Sequence, residues 1–201
     1  MALQIPARPL ERLARTVAGY LGGLKSENVG GLVSMFGSCL FLLGGDAGGI
    51  VVSVSFLLAE IVLTRSGHTR AGYSAGCLLF AFGDALAVTT AVAHGNRAFQ
   101  VTLAVMAAAW LIGAARAPLA WYGLRSEREA VVAAADALQP IAGIATLLLR
   151  IPGLLAALAG ASFLGAAAVA CWAASDVLIG RLQDAVHILV SALRSRMSSK
   201  P

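Results

Sequence analysis

Residues 72–93 read GYSAGCLLFAFGDALAVTTAVA, an apolar run with one charge, Asp84, near its middle. About 20 apolar helical residues cross the hydrocarbon layer of a bilayer. A helix of this composition has no polar face to offer water, so lipid is the solvent it fits. Similar runs of about 16 to 23 residues with few or no charges recur along the chain.

The longest such stretch, 29–63, is interrupted only by GGDAGG at 44–49. As one helix it would extend about 52 Å, against a hydrocarbon core of about 30 Å. Two short spans joined by a glycine hairpin, 29–43 and 50–64, fit better. The charged loop RSGHTR (65–70) follows, then a third span over 71–93, the exit HGNR (94–97) and a fourth span over 98–115. Trp121 and Tyr122 lie just beyond it, as an interfacial aromatic belt requires. The polar stretch RSERE (125–129) separates a four-span front part from a smaller rear part. A fifth span is expected over 130–149, kinked or broken at Pro140. After a turn at Arg150, Ile151 and Pro152, a sixth covers 153–172.

Composition agrees: 59% of residues are hydrophobic and 12% charged, against roughly 45–50% and about 25% in soluble domains. Strict apolar–polar alternation is absent, so helices are favoured over a barrel. The expected fold is therefore all-α, a polytopic membrane helix bundle of about six spans. Its segments are an N-terminal part (1–28), a four-helix part (29–118), a cytoplasmic loop (119–130), a two-helix part (131–175) and a C-terminal tail (176–201). Both ends read as basic amphipathic helices in the headgroup layer. Leu10, Leu13, Val17, Leu21 and Leu24 oppose Arg8, Arg12 and Arg15 at the start, and Leu182, Val186, Leu189, Leu193 and Met197 form a stripe at the end. The start lacks the uninterrupted apolar core and the small-residue cleavage pattern of a signal peptide.

The net charge of +5 does not read as a nucleic-acid footprint. Thirteen of the 15 Lys and Arg residues fall in segments that alternate hairpins place on one side, leaving only Arg97 and Arg150 on the other. That is the positive-inside pattern. It puts both termini in the cytoplasm, most simply of a bacterial inner membrane, and calls for an even number of spans. The expected partners are the bilayer itself, anionic lipid headgroups at the basic ends, and other membrane subunits.

Few residues could carry chemistry. An ionised carboxylate at the bilayer centre costs about 2.5–3.5 kcal/mol on insertion scales, so Asp84 is expected to face the bundle. Gly72, Gly76, Gly83 and Ala87 form a small-residue packing seam on its own helix, and Asp84 borders it. Glu60 either snorkels toward Arg65 or Arg70 or turns inward to make a two-carboxylate site with Asp84. Asp46 reads as a turn residue, and Asp136 and Asp176 as interfacial.

Cys39-Leu40 and Gly45-Asp46 recur at an offset of 38 as Cys77-Leu78 and Gly83-Asp84, a faint internal repeat that would set one aspartate in a turn and the other in a helix. The string Gly72-Tyr73-Ser74-Ala75-Gly76 matches GxSxG, but a nucleophile elbow needs a strand before the serine and an oriented histidine. His68, His94 and His187 fall in loops or the tail, and the three cysteines sit singly in apolar runs. No cofactor, metal centre or catalysis is expected. The chain reads as a noncatalytic subunit or scaffold of a larger membrane assembly. The alternative is a small-solute or ion transporter using Asp84 with Glu60.

Overall fold

A computed structural model of the chain describes residues 26–180 and residue 187. The expected amphipathic helices before residue 26 and beyond residue 180 lie outside these described residues. Within them the chain is helical, with no strand. We number the helices α1 (Ser26–Cys39, continued by a 3-10 turn over Leu40–Gly44), α2 (Ala47–Ser66), α3 (Arg70–Ala87), α4 (Arg97–Ala114), α5 (Arg116–Arg125), α6 (Glu129–Ala159) and α7 (Phe163–Leu178).

Local chemistry sets the boundaries. Gly45 takes a left-handed conformation (φ 74°) that closes the 3-10 turn. Asp46 then caps α2 by accepting from the Gly49 backbone N–H. Its other oxygen accepts from the Ala91 N–H, tying this turn to the connection after α3. These two bonds hold the Asp46 carboxyl below the usual carboxylate range. Thr69 caps α3 through Gly72, and Asn96 caps α4 through Phe99.

Six helices close a ring in the order α1, α2, α3, α4, α6, α7 and back to α1, with α5 packed on α6 and α3 at one end. Aromatic side chains cross its centre. Phe41 stacks on Trp172 (6.0 Å), Trp172 meets Phe56 edge-on (5.1 Å), Phe56 touches Phe80 (5.8 Å), and Phe80 stacks on Trp110 (4.7 Å). Buried serines bond between helices: Ser53 donates to the Ser38 carbonyl, Ser55 to Leu79, and the Trp172 indole to the Ser38 hydroxyl. The outside of the ring is apolar, with Phe36, Ile50, Val54, Phe82, Val101, Leu111, Leu148, Leu155 and Phe163 all exposed. Soluble monomers seldom leave so much apolar surface open.

Among the described residues, three helical stretches are long and apolar enough to span a membrane: Ala47–Ser66, Arg97–Arg125 and Glu129–Ala159. The other apolar stretches are shorter, including Val29–Gly44 and Phe163–Leu178. The third expected span, 71–93, is helical only to Ala87. The Thr89 and Thr90 hydroxyls bond back to the Leu86 and Ala87 carbonyls, closing tight turns that end the helix.

The rear part departs most from expectation. Neither Pro140 nor the Arg150-Ile151-Pro152 segment breaks the chain; α6 runs 31 residues through both. Prolines are tolerated where neighbouring helices surround the freed backbone groups. The reversal comes instead at Gly160–Ser162. Here Gly160 packs on Asn96 so closely that no Cβ would fit, and the Ser162 hydroxyl donates to the Val92 carbonyl. Arg150, expected in an outer turn, is inside the bundle. Asp176, expected at an interface, is 3% exposed. The expected loop at 119–130 is largely the helix α5. Pro118 cannot donate to the Ala114 carbonyl, and α5 starts afresh at Arg116, with only Ala115 between it and the end of α4.

The charges sort by end. Arg65, Arg70, Arg116, Arg125 and Arg128 lie at the end where α2 and α4 finish and α3 and α6 begin. At the opposite end, among the described residues, Arg97 is the lone Lys or Arg.

Candidate functional site

Asp84 sits three residues before the end of α3 and is 1% exposed. The face that carries it inward includes Tyr73, Cys77, Phe80 and Ala81, all buried. The seam residues on the same helix meet α2. A Cβ on Gly76 would come within 2.5 Å of Leu63, one on Gly83 within 2.5 Å of Phe56, and one on Gly72 would strike Ser66; Ala87 is fully buried. Those small residues let α2 and α3 approach, while Asp84 is directed to α4 and α6.

There its partners are the Trp110 side chain, which hydrogen-bonds it, and the charge of Arg150. One carboxylate oxygen, Oδ2, is buried with no hydrogen-bond partner. Arg150 is itself 8% exposed. Its Nε donates to Asp176 Oδ2 at 3.1 Å, and its guanidinium lies over the Trp172 ring, 5.1 Å from the centroid. The indole face offers partial negative charge to a desolvated cation.

Four residues from α3, α4, α6 and α7 thus converge: Asp84, Trp110, Arg150 and Asp176. Arg150 is already paired with Asp176, and a buried carboxylate with an unpartnered oxygen, as at Asp84, is expensive to keep charged.

Glu60 is elsewhere. It lies on α2 and accepts from the Ser34 hydroxyl of α1. The groups acting on Asp84 are Arg150 and Trp110, and Arg150 is paired with Asp176. A basic residue in a long apolar stretch together with Asp176 one helix later was a signal for this pair. Pro152 and Gly153, close after Arg150, read locally as a turn and mask it.

A second polar cluster lies at the arginine end. Asp136 accepts from Arg70 Nε and Nη2 (2.9 and 2.7 Å) and from Arg116 Nε and Nη2 (3.3 and 3.2 Å). Arg116 also lies over the Tyr73 ring, at 5.5 Å. Ser74, the serine of the GxSxG string, sits within α3 and accepts from the Ala117 N–H. It pins the first turn of α5 and has no elbow geometry. No group of histidine, cysteine, aspartate and glutamate side chains suited to a metal occurs among the described residues.

No protein-family model, curated protein or solved structure matches the chain.

Proposed function

We propose that the chain is a polytopic membrane protein that moves a proton, or a solute coupled to one, with Asp84 as the carrier. Arg150 and Asp176 supply the counter-charge. The observation that carries this reading is the buried, unpartnered Oδ2 of Asp84 close to an Arg150 that is already paired with Asp176. Intramembrane carboxylates set against arginine are the ordinary components of proton relays. The apolar exterior, the three membrane-length helices and the arginines gathered at one end support a bilayer setting, with both termini in the cytoplasm of a bacterial inner membrane.

The cluster has the elements of a switch. With Asp84 protonated, Arg150 belongs to Asp176. With Asp84 ionised, the one guanidinium is shared by two carboxylates on different helices, α3 and α7, and its position between them is no longer fixed. Loading and release of one proton would thereby bias how α3 and α7 sit against α6. The test is proton flux into liposomes holding the purified full chain, driven by an imposed potential and read with an enclosed pH dye. Asp84→Asn keeps the shape and removes the titration. Flux lost in that variant, with insertion unchanged, fits the reading; flux equal to wild type would sink it.

A noncatalytic scaffold in a larger membrane assembly is the second reading. What favours it is the aromatic chain from Trp172 to Trp110, which fills the middle of the ring where a wide path would run. It requires co-purification with defined partners in mild detergent, and a stable lone protein with proton flux would rule it out.

A further inference from the structure

From the arginine end, a furrow on the outside of the bundle runs between α3 and the α4–α5 junction. Nearest the end it is lined by Arg70, Ala71, Ala117, Pro118, Trp121 and Leu124. It continues as a second hollow sharing Ala71, Ala117 and Pro118, and passes Ala75, Leu78, Leu111 and Ala114 toward the middle of the helices. The floor is made of alanines, so the groove is apolar along its length with a guanidinium at one mouth.

The charge at that mouth is unbalanced. Arg70 and Arg116 share the single carboxylate of Asp136, leaving one positive charge in excess. Arg70 commits Nε and Nη2 to Asp136, which leaves Nη1 outside the pair, and its side chain remains 38% exposed. Arg116 has a buried Nη1 without an acceptor. At the rim, Arg125 lies over the Trp121 ring at 5.3 Å, an aromatic of the kind that sits at headgroup level.

On the membrane reading given above, we infer that this furrow binds an anionic phospholipid. The phosphate is held at Arg70 and one acyl chain lies along Ala71, Ala75, Leu78, Leu111 and Ala114. A guanidinium that already spends one edge on a carboxylate can present its other edge to a phosphate oxygen in a charge-assisted bond. The alanine floor provides the depth for a hydrocarbon chain that larger side chains would fill.

The experiment uses the full-length chain in neutral detergent, titrated with phosphatidylglycerol, with phosphatidylcholine of the same acyl chains, or with inorganic phosphate, and read by thermal shift. Phosphatidylglycerol should raise the melting temperature in a saturable way, while phosphatidylcholine and phosphate leave it unchanged. Arg70→Gln should weaken the apparent affinity about tenfold or more. Ala75→Phe, which blocks the groove while leaving Arg70, Arg116 and Asp136 in place, should abolish the shift. Equal shifts from the two lipids, a shift reproduced by phosphate alone, or an undiminished response in both variants overturns the inference. A chain that inserts into vesicles yet ignores phosphatidylglycerol refutes this site only, whereas a chain that stays soluble without detergent refutes the membrane reading itself.

Discussion

Replacing Arg150 by methionine separates a buried ion pair from an ornamental one. The Arg150 and Asp176 side chains are 9% and 4% exposed, so the substitution leaves a buried Asp176 carboxylate without this guanidinium. Breaking such a pair from one side costs about 3–5 kcal/mol. At roughly 2–4 °C per kcal/mol for a chain of this size, that is a fall of roughly 6–20 °C in Tm. Arg70→Gln is the internal control. Its pair with Asp136 is 38% and 40% exposed, and such pairs contribute about 0–1 kcal/mol. The double variant Arg150→Met with Asp176→Leu should recover most of the loss, because apolar replacement of a buried pair is often close to neutral. Melting curves of the three variants in one detergent, followed by tryptophan fluorescence, decide the matter. If Arg150→Met fell no further than Arg70→Gln, or if the double variant were no better than the single one, the buried-pair reasoning would be refuted.

Other consequences follow from the same geometry. Glu60→Gln should leave proton flux in liposomes intact, since the groups acting on Asp84 are Arg150 and Trp110 while Glu60 accepts from Ser34; a loss equal to that of Asp84→Asn would put Glu60 in the carrier site. Gly83→Val places a Cβ 2.5 Å from the Phe56 ring and should destabilise by about 1–3 kcal/mol. In contrast, Gly143→Ala in the open middle of α6 should stabilise by about 0.5–1 kcal/mol, as its Cβ would meet nothing within 4 Å; thermal unfolding of the pair checks the sign of each. Asp46, whose folded-state pKa lies below the ordinary value, adds stability at pH above the unfolded-state value of about 4 and loses it as pH falls through the folded-state one. Asp46→Asn should therefore flatten the acid limb of a Tm-against-pH curve, and an unchanged limb would show that the caps at Gly49 and Ala91 do not form.

The helical class and the approximate placement of the front helices were legible because apolar run length is a direct physical signal. So was the clustering of arginines at one end. The rear was not legible for a nameable reason. Pro140, Arg150 and Pro152 each argue locally for a break, and local rules assume that a freed carbonyl or a charge has only water to turn to. In the bundle, Arg150 has Asp176 and the face of Trp172, contacts 26 and 22 residues away along the chain. Asp84 drew notice as an isolated charge, but its partners Trp110 and Arg150 come from α4 and α6, which no spacing rule on α3 reveals. The likeness between Gly45-Asp46 and Gly83-Asp84 dissolves in three dimensions. The first is a left-handed turn and a helix cap, the second a close helix contact and a buried acid. Conversely, Gly30 and Gly37 on α1 meet α7 too closely for a Cβ, much as the α3 glycines meet α2, and their spacing of seven was readable in advance.

The most direct measurement of the central claim is the infrared carboxyl spectrum of the protein in lipid, recorded for wild type, Asp84→Asn and Asp176→Asn. Asp84, buried with one oxygen unpartnered, should show a protonated-carboxyl stretch that is lost in Asp84→Asn; in Asp176→Asn, where the Arg150 guanidinium is released to Asp84, the band should weaken or vanish. A wild-type spectrum with no such band, or a band indifferent to Asp84→Asn, would contradict the assignment of Asp84 as the carrier of the proton.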